Sequence, residues 1–280
     1  MFIYGSFAMK HWFPDYFREP VDIDIVVYDN NLYNKNIINK INKNNLIEEI
    51  VWEEEAHFYK AFEDDIQDYI LSPDGMLSVR MSHAMYNYNL DKAINDIIFL
   101  QQKGAKHDVV KIEHLRKYWK IRYAGFREKM DMNQPPEIFF NSNVQRFVNH
   151  DELHDLLKLS DKPAFSKILD NDVTVKVSKD KFDLLSKQEQ INTFIEEISV
   201  LACERHYREN DSRTAFVYAA QDFLTRMTSG WYNIFLLENI YEVFKFKNAQ
   251  ENNDYFDLMN RIMEWLRREE QSSQIMINNI

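Results

Sequence analysis

Hydrophobic and polar positions follow a strand period at the start of the chain and a helical period over most of the remainder. Phe2-Ile3-Tyr4 is a short apolar run closed by Gly5, and Val21–Tyr28 is a β-branched stretch with Val21, Ile23, Ile25 and Val27 on one face. Asp22 and Asp24 fall on the opposite face, two residues apart, so the pleat points both carboxylates the same way. Asn31–Asn44 spaces Ile37, Ile38 and Ile41 as a helix does, and Leu46–Trp52 reads as a third strand.

Beyond these strands the spacing predicts helices over Ser78–Asn89 and Leu90–Lys103, the second ended by Gly104, and a long charged helix over His107–Lys129. Met130–Asn149 carries Pro135, Pro136 and several Asn and reads as a linker or long loop, while Asp172–Val177 reads as a short strand. Ser186 and Glu189 have the capping-box spacing. They open a helix whose Ile191, Phe194, Ile195, Ile198, Leu201 and Ala202 form one stripe. Further helices are expected over Arg213–Thr228, Trp231–Phe246 and Asp254–Arg268, with a break at Thr228–Trp231 and a frayed polar tail after Arg268. The pattern predicts an α+β fold: a small mixed sheet with flanking helices over residues 1–104, then a larger, mainly helical region over 105–280, with 130–149 as the linker candidate.

Composition narrows this picture in a few respects. The chain has 280 residues, 45% hydrophobic and 14% aromatic, which is enough apolar material for a packed core and too much for a disordered chain. Only 5 glycines favour helices over a turn-rich sandwich or barrel, and the single Cys203 excludes an internal disulfide framework and points to a reducing compartment. No stretch is long and apolar enough to span a bilayer, and the opening Met1–Ser6 is too short and uncharged for a signal peptide, so a cytoplasmic protein is expected. The net charge of −11 argues against broad nonspecific DNA binding. The basic run from Lys111 to Arg122 reads either as a local basic groove or as a solvated helix face.

The N-terminal pattern carries the most specific chemistry. A glycine after a strand lets the backbone turn tightly and approach a phosphate, and Ser6, if it opens a helix, adds its hydroxyl and the free first-turn amides. Two carboxylates on one strand face suit magnesium, which prefers hard oxygen ligands. Two such ions can activate an attacking hydroxyl and stabilise a departing pyrophosphate.

Gly5-Ser6, then Asp22-Ile23-Asp24, then an acid in the following strand resembles the nucleotidyltransferase superfamily that includes DNA polymerase beta, CCA-adding enzymes and antibiotic adenylyltransferases. The resemblance implies that Gly5 and Ser6 hold the triphosphate of an NTP such as ATP, and that Asp22 and Asp24 bind two Mg2+ ions. It puts the third, metal-binding acid at Glu48 or Glu49, and the Glu49–Trp52 run favours Glu49. Arg80 with Lys92 and Asp96 resembles the helix pair that follows the sheet in several bacterial members, which implies nucleotide-binding roles for Arg80 and Lys92. Lys92 and Asp96, four apart, equally suit an ordinary salt bridge. The fifteen residues between Ser6 and Asp22 are more than the family pattern has, and no helix precedes the first strand. The later segments resemble phage-encoded proteins that pair such a core with a helical extension, which would place the protein in a host cytoplasm. The acceptor stays open among RNA, protein and small molecule.

A second constellation is His150, Asp151 and His154. On a helix the two imidazoles lie one turn apart and can chelate a transition metal, with His83, Glu197 and Glu204 as possible partners. A His-Asp pair also resembles HD-type metal phosphohydrolases, although the same pair recurs at His107-Asp108. The plainer alternative makes Asp151 a helix-capping acid and the histidines surface residues. Three functions thus fit these residues: a Mg2+-dependent nucleotidyltransferase, an HD-type phosphohydrolase, and a catalytically inactive binding protein that keeps the fold.

Overall fold

The computed structural model describes residues 1–28, 34–42, 49–54, 56–84, 90–122, 153, 156–157, 179–226, 230–244 and 249–278, and elements are numbered over these residues. The fold is α+β, and it divides into two compact units: Met1–His83 with Asn95–Lys120, and Ala84–Ile94 with Ile121–Ile280.

The first unit is built on a mixed sheet of five strands in the order β3-β2-β1-β5-β4. Its strands are β1 (Phe2–Tyr4), β2 (Asp22–Val27), β3 (Glu49–Glu54), β4 (Ile66–Gln67) and β5 (Ile70–Leu71). The apolar run Phe2-Ile3-Tyr4 becomes the middle strand because Phe2 and Ile3 bury completely, one on each face. β1 runs antiparallel to β2, pairing Phe2 with Val26 and Tyr4 with Asp24. It runs parallel to β5, where the Ile3 amide donates to the Tyr69 carbonyl at 2.7 Å.

In β2 the expected alternation holds from Asp22 onward: Ile23 and Ile25 are fully buried, and Asp22 and Asp24 are half-buried. Val21 was expected on the buried face but lies outside the strand and is 79% exposed. It precedes the first residue that pairs in the sheet, so among the described residues no neighbouring strand covers it. At the far end of β2 both faces are covered, since Val26 and Val27 are buried alike. Helix α3 (Ala56–Phe62) packs against β2, and its Phe58 stands edge-on to Phe2 and Tyr4 at ring distances of 5.6 and 5.3 Å.

Helix α1 (Gly5–Trp12) follows β1 directly, and its far end is pinned by Trp12, whose Nε1 donates to the Leu71 carbonyl at 2.8 Å. Helix α2 (Lys35–Ile41) links β2 to the parallel β3, capped by the Asn34 side chain. The expected helix at Asn31–Asn44 and strand at Leu46–Trp52 are thus present as Lys35–Ile41 and Glu49–Glu54, with residues 29–33 and 43–48 outside the described ones.

The β4–β5 hairpin is absent from the sequence reading. Its two turn residues, Asp68 and Tyr69, both sit at positive φ (48° and 66°), as a tight two-residue hairpin requires, yet neither is the glycine or asparagine that would have signalled it. The next helix, α4 (Pro73–Ala84), begins earlier than expected because Ser72 caps it, its Oγ accepting the Gly75 amide at 3.1 Å with Pro73 in the first turn. Helix α5 (Leu90–Gln102) ends as expected at Gly104 (φ 84°), where the Ala105 amide reaches the Leu100 carbonyl and the Gly104 amide the Gln101 carbonyl, both at 3.0 Å. Helix α6 (Val109–Arg122) is capped by Asp108, which accepts the Val110 amide at 2.8 Å.

The second unit is helical where described: α7 (Lys179–Asp183), α8 (Lys187–Arg205), α9 (Ser212–Arg226), α10 (Gly230–Glu238), α11 (Ile240–Phe244) and α12 (Ala249–Asn278). Ser186 opens α8 through the expected capping box. The predicted apolar stripe of α8 is buried, but so are Thr193, Glu196, Glu197, Ser199, Cys203 and Glu204 on its other sides, because α9, α11 and α12 all pack on this one helix. The helix expected over Trp231–Phe246 is broken at Asn239, and the tail expected to fray after Arg268 continues α12 to Asn278. The linker candidate 130–149 and the strand candidate Asp172–Val177 lie outside the described residues.

Candidate active site

The candidate site forms where β1 turns into α1. Gly5 stands at φ 72°, a left-handed backbone that favours glycine. A Cβ placed on it would lie 2.1 Å from Asp24 Oδ2 and 3.1 Å from Asp24 Cγ. The Asp24 carboxylate is therefore packed onto the bare Cα of Gly5, at the amide-rich start of α1, where the helix dipole favours negative charge. Ser6, half-buried, is the next residue in that first turn, which holds no acidic side chain. Asp22 sits one pleat along from Asp24, with Cα atoms roughly 6–7 Å apart by strand geometry.

On the neighbouring strand, Glu49 is the register partner of Asp22 and Val51 that of Asp24. Glu48, the other candidate for the third acid, lies outside the described residues. Carboxylate oxygens are the hard donors that magnesium takes, so the side chains of Asp22 and Asp24 fit that ion chemically. Among the described residues no group of three or more His, Cys, Asp or Glu side chains is gathered to hold a metal.

A second cluster centres on Asp96 of α5, which is fully buried. The Tyr16 hydroxyl donates to Asp96 Oδ1 at 2.5 Å, and Arg18 Nη2 reaches both carboxylate oxygens at 2.6 Å. Arg18 Nε also donates to the Tyr16 oxygen at 2.9 Å. From α4, Arg80 Nε lies 3.1 Å from Asp96 Oδ2. Burial first, and then the Asp96 charge, push the Tyr16 phenol well above its ordinary range, so it stays a neutral donor. Asp96 is thus shared by Arg18 and Arg80, while Lys92, four residues before it, is exposed. Tyr16 and Arg18 lie in the α1–β2 connection, which has no periodicity to mark them. The length of that connection was its visible feature, and the structure uses it to carry both side chains to Asp96.

His150, Asp151 and His154 lie outside the described residues. Of their possible partners, His83 is half-buried on α4, and Glu197 and Glu204 are buried on α8. Burial, together with the Glu204 and Glu196 charges, pushes the Glu197 carboxyl well above the usual range, and neither of its oxygens has a hydrogen-bond partner among the described residues. The recurring His107-Asp108 pair is accounted for by Asp108 capping α6. In the basic run of α6, Lys111 pairs with Asp65, and Arg116 lies 3.6 Å from Glu113. No helix among the described residues is long and apolar enough to cross a membrane.

A family model described as Domain of unknown function (DUF7275) matches residues 75–257. The matched span runs from α4 into α12, so it holds Arg80, Lys92 and Asp96 but not Gly5, Ser6, Asp22, Asp24 or Glu49. No curated protein and no solved structure matches the chain.

Proposed function

Since the chain belongs to the DUF7275 family, whose description names no activity, we propose its function from the site itself: a magnesium-dependent nucleotidyltransferase that moves an NMP group from an NTP to an acceptor hydroxyl. The observation that carries this reading is the Asp24 carboxylate seated on Gly5 at the strand-to-helix turn, with Asp22 one pleat away and Glu49 in register beside it. Asp is poorly suited to strands, so two of them in a β-branched strand call for a reason beyond the fold. The register partnership with Asp22 supports Glu49 as the third acid.

In this reading the acceptor oxygen attacks the α-phosphorus, the bond to the β-phosphate oxygen breaks, and pyrophosphate leaves. Asp22, Asp24 and Glu49 would hold Mg2+, which when bound lowers the acceptor hydroxyl's pKa and neutralises the leaving pyrophosphate. The first-turn amides of α1 and the Ser6 hydroxyl bind phosphate oxygens, and Gly5, lacking a side chain, lets the backbone approach them. Glu49 holds metal or receives the acceptor's proton. Arg80 supplies positive charge for the nucleotide.

The test is transfer from an α-labelled NTP into RNA, protein and small-molecule fractions, with wild type, Asp22→Asn and Asp24→Asn. Asparagine keeps the size and loses the charge that holds the metal, so each variant should lose labelling by roughly two orders of magnitude or more while still folding. Chelation of divalent ions should abolish wild-type labelling. Equal labelling by all three proteins, or no labelling and no magnesium-dependent nucleotide binding by wild type, would overturn the reading.

A further inference from the structure

Two guanidinium groups share one buried carboxylate in the first unit, and one of them would suffice to neutralise it. Asp96 contributes one negative charge and Arg18 and Arg80 two positive ones, while the Tyr16 hydroxyl between them stays neutral. The other cations beside the cluster are already balanced: Lys10 pairs with Glu19 at 2.6 Å and Lys103 with Asp15 at 2.5 Å. Among the described residues a surplus of one positive charge therefore remains at the hub, in a chain whose net charge is −11.

That surplus charge is held rigidly and reaches solvent. Arg18 is fixed by bonds to Asp96 and Tyr16 and lies over the Tyr16 and Phe17 rings at 5.4 and 5.6 Å. Its side chain is 26% exposed and that of Arg80 is 12% exposed. Among the described residues Nη1 of Arg18, and Nη1 and Nη2 of Arg80, take no partner. A guanidinium immobilised on one edge with free N–H groups on the other is pre-organised to grip a phosphate. The ordering entropy has been lost on folding rather than on binding.

We propose that Arg18 and Arg80, joined through Asp96, form an anion clamp for the polyphosphate of a nucleoside triphosphate, with Arg18 as a binding residue that the α1–β2 connection supplies. The choice of a nucleotide as the ligand rests on the nucleotidyl-transfer reading; the anion site itself rests on the hub's geometry. A purely structural role would make Arg18 a rivet between that connection and α5, with no effect on anion affinity once the protein is folded.

The experiment is calorimetric titration of a non-hydrolysable NTP analogue and of inorganic tripolyphosphate, with and without Mg2+, into wild type, Arg18→Gln, Arg18→Lys and Asp22→Asn, with thermal melts to confirm folding. Arg18→Gln should weaken both ligands about tenfold to a hundredfold, as loss of a charge-assisted bond does. Arg18→Lys should fall between, keeping the charge but losing the fork, and serves as the measured variant if the glutamine protein does not fold. Asp22→Asn should lose the magnesium-dependent part of nucleotide binding and keep the affinity for tripolyphosphate without metal. Wild-type affinity in folded Arg18→Gln or Arg18→Lys overturns the clamp while leaving nucleotidyl transfer standing on Asp22. Tripolyphosphate binding that depends on Arg18, with no nucleotide binding in any arm, keeps the clamp and removes the transfer reading instead.

Discussion

Replacing Gly5 by alanine tests the strand-to-helix turn on which the candidate site depends. The substitution does two separable things. It forces a residue with a Cβ to φ 72°, which costs about 1–2 kcal/mol for an L-residue in the left-handed region. It also brings the new methyl to 2.1 Å from Asp24 Oδ2 and 3.1 Å from Cγ, so the carboxylate must swing away. Moving that side chain off its rotamer adds about 0.5–1.5 kcal/mol. The sum is a loss of about 1.5–3.5 kcal/mol, or roughly 3–14 °C in melting temperature for a chain of this size.

A double-mutant cycle separates the two effects. With Asp24→Ala in place the offending atoms are gone, and the nearest remaining atom, Asp24 Cβ at 3.4 Å, makes an ordinary contact. Gly5→Ala should then cost only the backbone contribution, leaving a coupling of about 0.5–1.5 kcal/mol between the two sites. Urea denaturation of the four proteins measures it. Gly5→Ala within about 0.5 kcal/mol of wild type, or an equal cost with and without the Asp24 carboxylate, would refute the close packing of Asp24 on Gly5.

Three further substitutions probe the rest of the chain. Asp96→Asn should destabilise by at least about 2 kcal/mol, just below the range of about 3–5 kcal/mol for breaking a buried ion pair because Arg18 and Arg80 both reach solvent; a midpoint unchanged in urea would deny the hub. Ser186→Ala removes one half of the capping box of α8 and should cost about 1 kcal/mol in the same assay, with no loss contradicting the cap. Glu197→Gln should stabilise the protein at neutral pH. The Glu197 carboxyl is raised in the folded state above an ordinary value of 4.5, so the folded chain holds a proton that the unfolded chain releases. Wild-type stability from this group is full below pH 4.5 and falls as pH rises from there through the folded-state pKa, so the advantage of glutamine should grow over that window and vanish at its acid end. A stability difference that does not change with pH would contradict the burial of an unpaired carboxyl.

The features legible in the sequence are those whose physics is local. Ile23 and Ile25 alternate with Asp22 and Asp24 because successive side chains leave a strand on opposite faces, so the face shared by the two acids needed no knowledge of the partner strands. Ser186 with Glu189, and Gly104 past the end of α5, announce helix ends through bonds that close within six residues. The end of α12 misled for a related reason: a polar composition after Arg268 describes a solvated surface as well as it describes a frayed tail.

What only the tertiary structure decided depends on residues far apart in the chain. The register that sets Glu49 beside Asp22, and the packing of Asp24 on Gly5, arise when three strands assemble, and no spacing along the chain encodes them. The β4–β5 hairpin has two residues per strand, too few for any period, and its Asp68-Tyr69 turn is held at positive φ by pairing in the sheet rather than by its own preference. Arg18, Tyr16 and Arg80 meet on Asp96 across as many as 80 positions, and the long connection before β2 shows its use only when folded. The polar sides of α8 are buried because α9, α11 and α12 pack around it, so its apolar stripe marked the core-facing side correctly and gave no sign that the other sides were covered too. Periodicity reports how a segment would lie on one surface, and it carries no information about how many surfaces close around it.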